Sequence, residues 1–417
     1  MRFCFPWSRA LAGALGVLAL ANGSALAGAL YSVTDLTGGG YGTLYSASLN
    51  NQGQVAGRLG YYQSRQDRPT GDQPYLYSGG KVTLPGIQSP QGGSSGTVLY
   101  TGGFSGLNDQ GQAVGRSEAP PAIYGHPASV APGGILYDAK TGQTTPLPLS
   151  PAGINNSGQI LGSVEGPKLG QYDTTQAALF QGGSVQTLAN PPGTVGASPV
   201  AINDAGQIVV DTVVSRPTPP GPYGTVYPDQ AHAFRLDQGT WTDLGTLGGS
   251  FSSARAMNAN GDVVGVSSVS TDPNGFMHAF LAHAGGKITD LGTLPGDANS
   301  LALGINNKGQ VVGLSFPAIN NSGNYHGFLW QNGVMTALND LMPAGTGWNI
   351  SWGLSINDQG QILAYASNGS QKLVLLSPDG SGPAFAEFPA APVPEPGAIV
   401  VFALVCAVPL IRRRVQV

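Results

Sequence analysis

The sequence predicts an all-β chain, a seven-bladed β-propeller of four-stranded antiparallel blades closed by its N-terminal strand. Three observations predict it. An apolar residue, Asn, two mostly polar residues, Gly and nearly always Gln recur seven times, from Leu49–Gln54 through Leu107–Gln112, Ile154–Gln159, Ile202–Gln207, Met257–Asp262 and Ile305–Gln310 to Ile356–Gln361. The motif glycines Gly53, Gly111, Gly158, Gly206, Gly261, Gly309 and Gly360 stand 47 to 58 residues apart, a period that suits one small sheet per repeat better than one solenoid coil. Tyr31–Leu36 reads as a last strand of a blade before any first strand has appeared, which a ring would use to complete its final blade beside Lys372–Leu376.

The clearest repeat, from Ser252 to Leu294, shows the unit. Its predicted strands are Ser253–Met257, Asp262–Ser267, His278–Leu281 and Lys287–Leu291, joined by Asn258–Gly261, a longer segment and Gly285-Gly286. Asn and Gly suit the first turn because both tolerate positive φ and the Asn side chain bonds nearby backbone. Third strands are expected at Pro74–Tyr77, Gly134–Tyr137, Ala177–Phe180, His232–Phe234 and His326–Trp330. Composition agrees with this architecture. The 417 residues include 64 glycines and 32 prolines, too many for long helices, and charged residues make up only 10%. Regular apolar runs in every repeat argue against disorder.

Both ends read as addresses. Arg2 and Arg9, the apolar run 10–21 and the small-x-small sequence Ala25-Leu26-Ala27 form a signal-peptide pattern over residues 1–27, with Ala25 and Ala27 at the cleavage positions. Export by signal peptidase is the expectation. The propeller then occupies 28–390. Residues 391–417 carry Val393-Pro394-Glu395-Pro396, an apolar stretch over 397–411, and Arg412-Arg413-Arg414. Fifteen residues make a helix of about 22 Å, short of a hydrocarbon core of about 30 Å, with the arginines held on the cytoplasmic side. This tail resembles the PEP-CTERM sorting signal of Gram-negative bacteria that make exopolysaccharide. The resemblance implies an inner-membrane intermediate, processing by an exosortase, and release to the cell envelope or extracellular matrix. Short apolar helices are expected at the two ends.

The repeats carry a second resemblance. His-Ala-Phe at 232–234 and 278–280, Asp-Leu-Gly-Thr-Leu-Gly-Gly at 243–249 and Ile-Asn-Asn-x-Gly-Gln at 305–310 keep a constant order. Together they resemble the HAF family of extracellular repeats. That resemblance implies a secreted or surface location and no reaction.

Function is less legible. Cys4 and Cys406 lie in the terminal signals, so the exported domain would have neither disulfides nor thiolate metal sites. Without the terminal arginines the domain is mildly acidic, and nothing in it recruits nucleic acid. In a four-stranded meander the tight turns share one face, while the second-to-third loops gather on the other. Variable loops on a rigid scaffold are where binding concentrates. These loops carry Tyr61, Tyr62, Tyr124, Tyr172, Tyr223, Tyr227 and Tyr325, aromatic groups suited to stacking on sugar rings or gripping a protein. Packing within their own loops is the plainer role.

His232, His278 and His326 recur at one repeat position, as do Asp35, Asp243 and Asp290 at another. Such repetition reads as structural, since metal ligands must converge on one ion. No cofactor or metal is expected. Neither a His-Glu-x-x-His pair nor a phosphate loop is present. The expectation is a non-enzymatic binder of exopolysaccharide or envelope protein. The alternatives are an enzyme acting on extracellular glycans and a purely structural matrix protein.

Overall fold

The computed structural model describes residues 31–36, 42–61, 72–85, 101–118, 133–166, 174–214, 231–270, 275–285, 288–318 and 324–379. The predicted signal peptide, sorting tail and terminal helices lie outside them. Among the described residues, no helix is long and apolar enough to cross a membrane.

Seven four-stranded antiparallel sheets form a ring. Six run in simple sequence order, and the seventh is completed by Tyr31–Asp35, which pairs with Gln371–Pro378 from Tyr31 opposite Pro378 to Asp35 opposite Val374. The orphan strand therefore joins the two ends of the chain, as its sequence predicts. In the blade read most clearly, the strands are Ser252–Met257, Val263–Ser268, Met277–Ala282 and Ile288–Asp290, within about one residue of expectation at most boundaries. Blades are numbered here from 1 (first strand Gly42–Leu49) to 7 (first strand Asn349–Ile356), so this one is blade 5.

The core is divided among the blades. Each second strand carries two consecutive buried apolar residues at or next to its start, such as Val263-Val264 or Val311-Val312. Because a strand sends successive side chains to opposite faces, each such pair serves both faces of its blade. Val263 packs with Val209 and Leu244 of blade 4, and Val264 with Ile305 and Phe328 of blade 6. Seven apolar seams result, one between each pair of neighbouring blades. The seam between blades 7 and 1 contains Leu36, Leu363, Leu373, Val55 and Tyr75, with the Tyr75 hydroxyl donating to the Leu36 carbonyl at 2.7 Å.

The motif asparagines close the ring a second time. In each turn the Asn Oδ1 accepts a backbone N–H four positions on, and its Nδ2 donates to the side chain at that same position; for Asn306 these bonds measure 3.0 and 2.7 Å, both with Gln310. The other Nδ2 hydrogen crosses to the next blade's Asn carbonyl. These links run Asn50 to Asn108, Asn155, Asn203, Asn258, Asn306, Asn357 and back to Asn50, at 2.8 to 3.2 Å. All seven side chains are buried. The motif Gly takes positive φ, but none of the asparagines does. Asn is required here for its paired donor and acceptor, which corrects half of the expected turn chemistry.

The next residue of each motif forms an outer ring: Asn51, Asp109, Asn156, Asp204, Ala259, Asn307 and Asp358. Each backbone N–H donates to the following side-chain Oδ1 at 2.7 to 2.9 Å, except at Asp204, where Ala259 offers no acceptor. The acids never adjoin one another, and seven places cannot alternate perfectly. Ala259 fills the odd place. Ala259→Asn is expected to supply the missing acceptor and an amide for the Asp204 carboxylate, raising stability by about 1 kcal/mol in urea titration. Ala259→Asp would restore the acceptor but set two carboxylates side by side, and its gain at neutral pH should fall well short of the Asn variant's.

The recurring histidines pair within blades. His232 Nδ1 lies 2.8 Å from Asp243 and His278 Nδ1 2.8 Å from Asp290, joining third strand to fourth, while Asp243 and Asp290 also accept the Gly245 and Gly292 N–H groups. In blade 7 the equivalent pair is Lys372 with Asp35, an ion pair across the closing strand. His326 departs from the pattern and meets Asp297 at 2.9 Å. Burial pushes the Asp243 carboxyl up, but the hydrogen bonds from His232 and Gly245 outweigh it and hold it below the usual range. A depressed folded value gives stability that is present above the unfolded pKa of about 4 and lost as pH falls through the folded one. Asp243→Asn should therefore cost under about 1 kcal/mol at pH 7, given the exposure of the pair, and the gap to the parent should close in melts run below about pH 4.

Candidate functional site

The first strands enclose a central channel of about 730 Å³. Their last residues, Leu49, Leu107, Ile154, Ile202, Met257, Ile305 and Ile356, form an apolar collar just inside the outer Asn/Asp ring. Two positions earlier, six blades break register, and the extra residue is Ser105, Ala152, Val200, Arg255, Leu303 or Leu354. A bulge re-aims a side chain, and all six line the channel. Between collar and bulge stand small residues, because the blades nearly touch there. A Cβ on Gly106 would come 3.0 Å from the Gly153 Cα, and one on Gly304 2.9 Å from the Ser355 Cα.

The channel is chemically uneven. Its tight-turn mouth carries three carboxylates, Asp109, Asp204 and Asp358. Among the described residues that line it, Arg255 is the one cation. The Arg255 side chain is 44% exposed, and its Nη1 donates to Ser253 Oγ at 2.9 Å and the Ala254 carbonyl at 3.2 Å. Behind it, Asp211 accepts from Ser253 Oγ at 2.6 Å and the Ala254 N–H at 2.9 Å. Burial raises the Asp211 carboxyl's pKa, against the pull of those bonds and of Arg255. The guanidinium is thus held by hydroxyl and carbonyl, with the nearest carboxylate 4.0 Å away.

An aromatic ladder approaches from the long-loop side. Phe316 and Tyr325 meet edge to face with ring centres 5.6 Å apart, Tyr325 and Trp352 at 5.7 Å, and Trp352 and Tyr365 at 5.8 Å. Trp352 and Tyr365 stand opposite each other in register and line the channel. Tyr325, 39% exposed, belongs to the segment entering the third strand of blade 6.

Of the tyrosines expected to bind, only Tyr325 is thus placed at this site. Tyr61 ends the second strand of blade 1, and Tyr62, Tyr124, Tyr172, Tyr223 and Tyr227 lie outside the described residues. So do Ala25, Ala27, Val393, Pro394, Glu395, Pro396 and Arg412 to Arg414. Sequence reasoning missed Arg255, Trp352 and Tyr365. The signal was available: aligned on the motif Asn, Arg255 is the one charged residue at a position otherwise held by Ala, Ser, Val or Leu. Among the described residues, no three His, Cys, Asp or Glu side chains gather where they could hold a metal ion.

No family model matches the chain, and no curated protein matches it. Solved structures do. The β-propeller domain of the Trilobed protease from Pyrococcus furiosus, described as having an open velcro topology, is 12% identical at a TM-score of 0.53, over 84% of this chain and 99% of that one. The Pyrococcus horikoshii acylaminoacyl peptidase gives 12% identity and a TM-score of 0.52, over 82% of this chain and 52% of that one. One of two prolyl endopeptidases gives 13% and 0.50, over 82% and 48%. The fold is that of a seven-bladed β-propeller, and the chain spans about half the length of these two peptidases. The expectation of a non-enzyme is contradicted to this extent, that these propellers belong to peptidases. At such identity the likeness carries the fold and no reaction.

Proposed function

We propose that this chain is an exported propeller that takes its ligand, an envelope or matrix polysaccharide or protein, at the long-loop mouth of the central channel. The aromatic ladder from Tyr325 to Trp352 and Tyr365 carries this reading, since it brings exposed aromatic surface and channel wall into one continuous site. A cavity of this size suits such a ligand segment, and its walls offer apolar and polar surface in nearly equal measure. Its route would be the one the termini suggest: signal peptidase, a brief inner-membrane stage, and an exosortase-type enzyme. The full chain should be retained on envelope polysaccharide or on a protein of the envelope, and Trp352→Ala with Tyr325→Ala should release it. Retention unchanged by both substitutions would refute the site. Replacing Pro394 and Glu395 should block processing; normal processing would refute the route.

The likeness to peptidase propellers favours a second reading, in which the ring serves a catalytic partner or acts on glycans or peptides itself. Shortened products in the same retention experiment would identify it.

A further inference from the structure

We propose that the channel recognises the acidic end of a saccharide, with Arg255 as the carboxylate anchor; this rests on the channel being the ligand site. Charge is ordered along its axis. Arg255 sits at the bulge of its strand, and the three carboxylates circle the tight-turn mouth four residues, or at most roughly 13 Å, further along. A carboxylate entering from the long-loop side meets a guanidinium whose hydrogen bonds go to neutral groups and whose ion pair with Asp211 is long, at 4.0 Å, so that its remaining N–H donors are suited to a bidentate pair. Trp352 and Tyr365 offer aromatic surface for a sugar ring in the same space. Beyond Arg255, Asp109, Asp204 and Asp358 keep acceptor capacity after their amide bonds, because each carboxylate oxygen has two lone pairs. Hydroxyl groups satisfy such acceptors, and a sugar brings many where an acidic peptide brings few.

The same carboxylates repel a second acid group. An acidic polymer is therefore gripped by one end and not threaded through the ring.

Short oligogalacturonides, the same oligomers with carboxyls reduced to alcohols, and oligoglutamate, each titrated calorimetrically into the full chain, test this. The oligogalacturonides are expected to bind about tenfold or more tightly than their reduced forms, and Arg255→Gln to bring the two affinities within about twofold of each other. Trp352→Ala should weaken both saccharide classes. Equal affinity for acidic and reduced oligomers, or an Arg255→Gln variant that keeps the preference, overturns the carboxylate anchor and leaves the channel site standing. Stronger binding of oligoglutamate overturns the saccharide assignment. Affinity that keeps rising with oligomer length overturns end-on capture. If no probe binds, the carboxylate anchor is overturned, while the retention experiment with Trp352→Ala and Tyr325→Ala decides the channel site.

Discussion

Asn306→Ala is expected to cost about 3 kcal/mol or more, as is alanine at the equivalent asparagines of the ring. The residue is 3% exposed and makes four hydrogen bonds: Oδ1 accepts the Lys308 and Gln310 N–H groups, and Nδ2 donates to Gln310 Oε1 and the Asn357 carbonyl. Alanine strands all four partners, and each buried polar atom left unpaired costs about 1 to 3 kcal/mol, softened where water can enter from the channel. Two blades are affected at once, since the lost Asn357 link is the one that crosses the seam. Asn306→Asp separates donor from acceptor. It keeps Oδ1 but places an acceptor against the Asn357 carbonyl; Gln310 can turn its amide to meet it, whereas a backbone carbonyl cannot turn. Asp should therefore rescue only part of the loss at neutral pH. Urea titrations of both variants check this, and an Asn306→Ala midpoint within error of the parent would show that the ring of amides is ornamental.

Those amides also show how far the sequence could be read. The Asn-x-x-Gly period gave blade count, strand order and the partner of Tyr31–Leu36, because each depends on local turn chemistry and on apolar pairs such as Val263-Val264 that must face two neighbours. The tight-turn face and the structural histidines were legible for the same reason. What stayed hidden depends on closure. Asn50 and Asn357 are remote in sequence, and only the finished ring makes them neighbours. The channel is formed only by closure: Arg255 stands out in the aligned repeats, but the alignment does not say that its position, a strand bulge, faces a shared cavity. Attention to tyrosine-rich loops singled out Tyr325 but passed over Trp352, which lies within a strand.

Gly313→Ala should cost about 2 to 4 kcal/mol although alanine suits a strand better than glycine does. A Cβ there would lie within van der Waals overlap of the Leu301 carbonyl oxygen in the paired strand, and 2.8 Å from the Phe328 ring. Gly115, Gly162 and Gly265 hold the same place in their blades, and a Cβ on each would meet the carbonyl of Gly103, Ser150 or Ser253 at 2.0 to 2.5 Å. Two blades carry side chains at this position, Val210 and Ala364, both fully buried. Their first strands each have a second register break, between Val195 and Ser198 and between Ile350 and Trp352. In the glycine blades 2, 3, 5 and 6 there is one break only. The extra residue relocates the carbonyl that would otherwise strike the Cβ, so glycine and single bulge form one solution and side chain with double bulge the other. Inserting one serine between Ser300 and Leu301 should accordingly harm the parent but recover part of the loss in the Gly313→Ala variant, a coupling that a double-mutant cycle of unfolding free energies measures. Ala364→Gly, which removes a methyl without a clash, should cost only about 1 kcal/mol. Additive effects of the insertion and Gly313→Ala would break the link between bulge count and side chain.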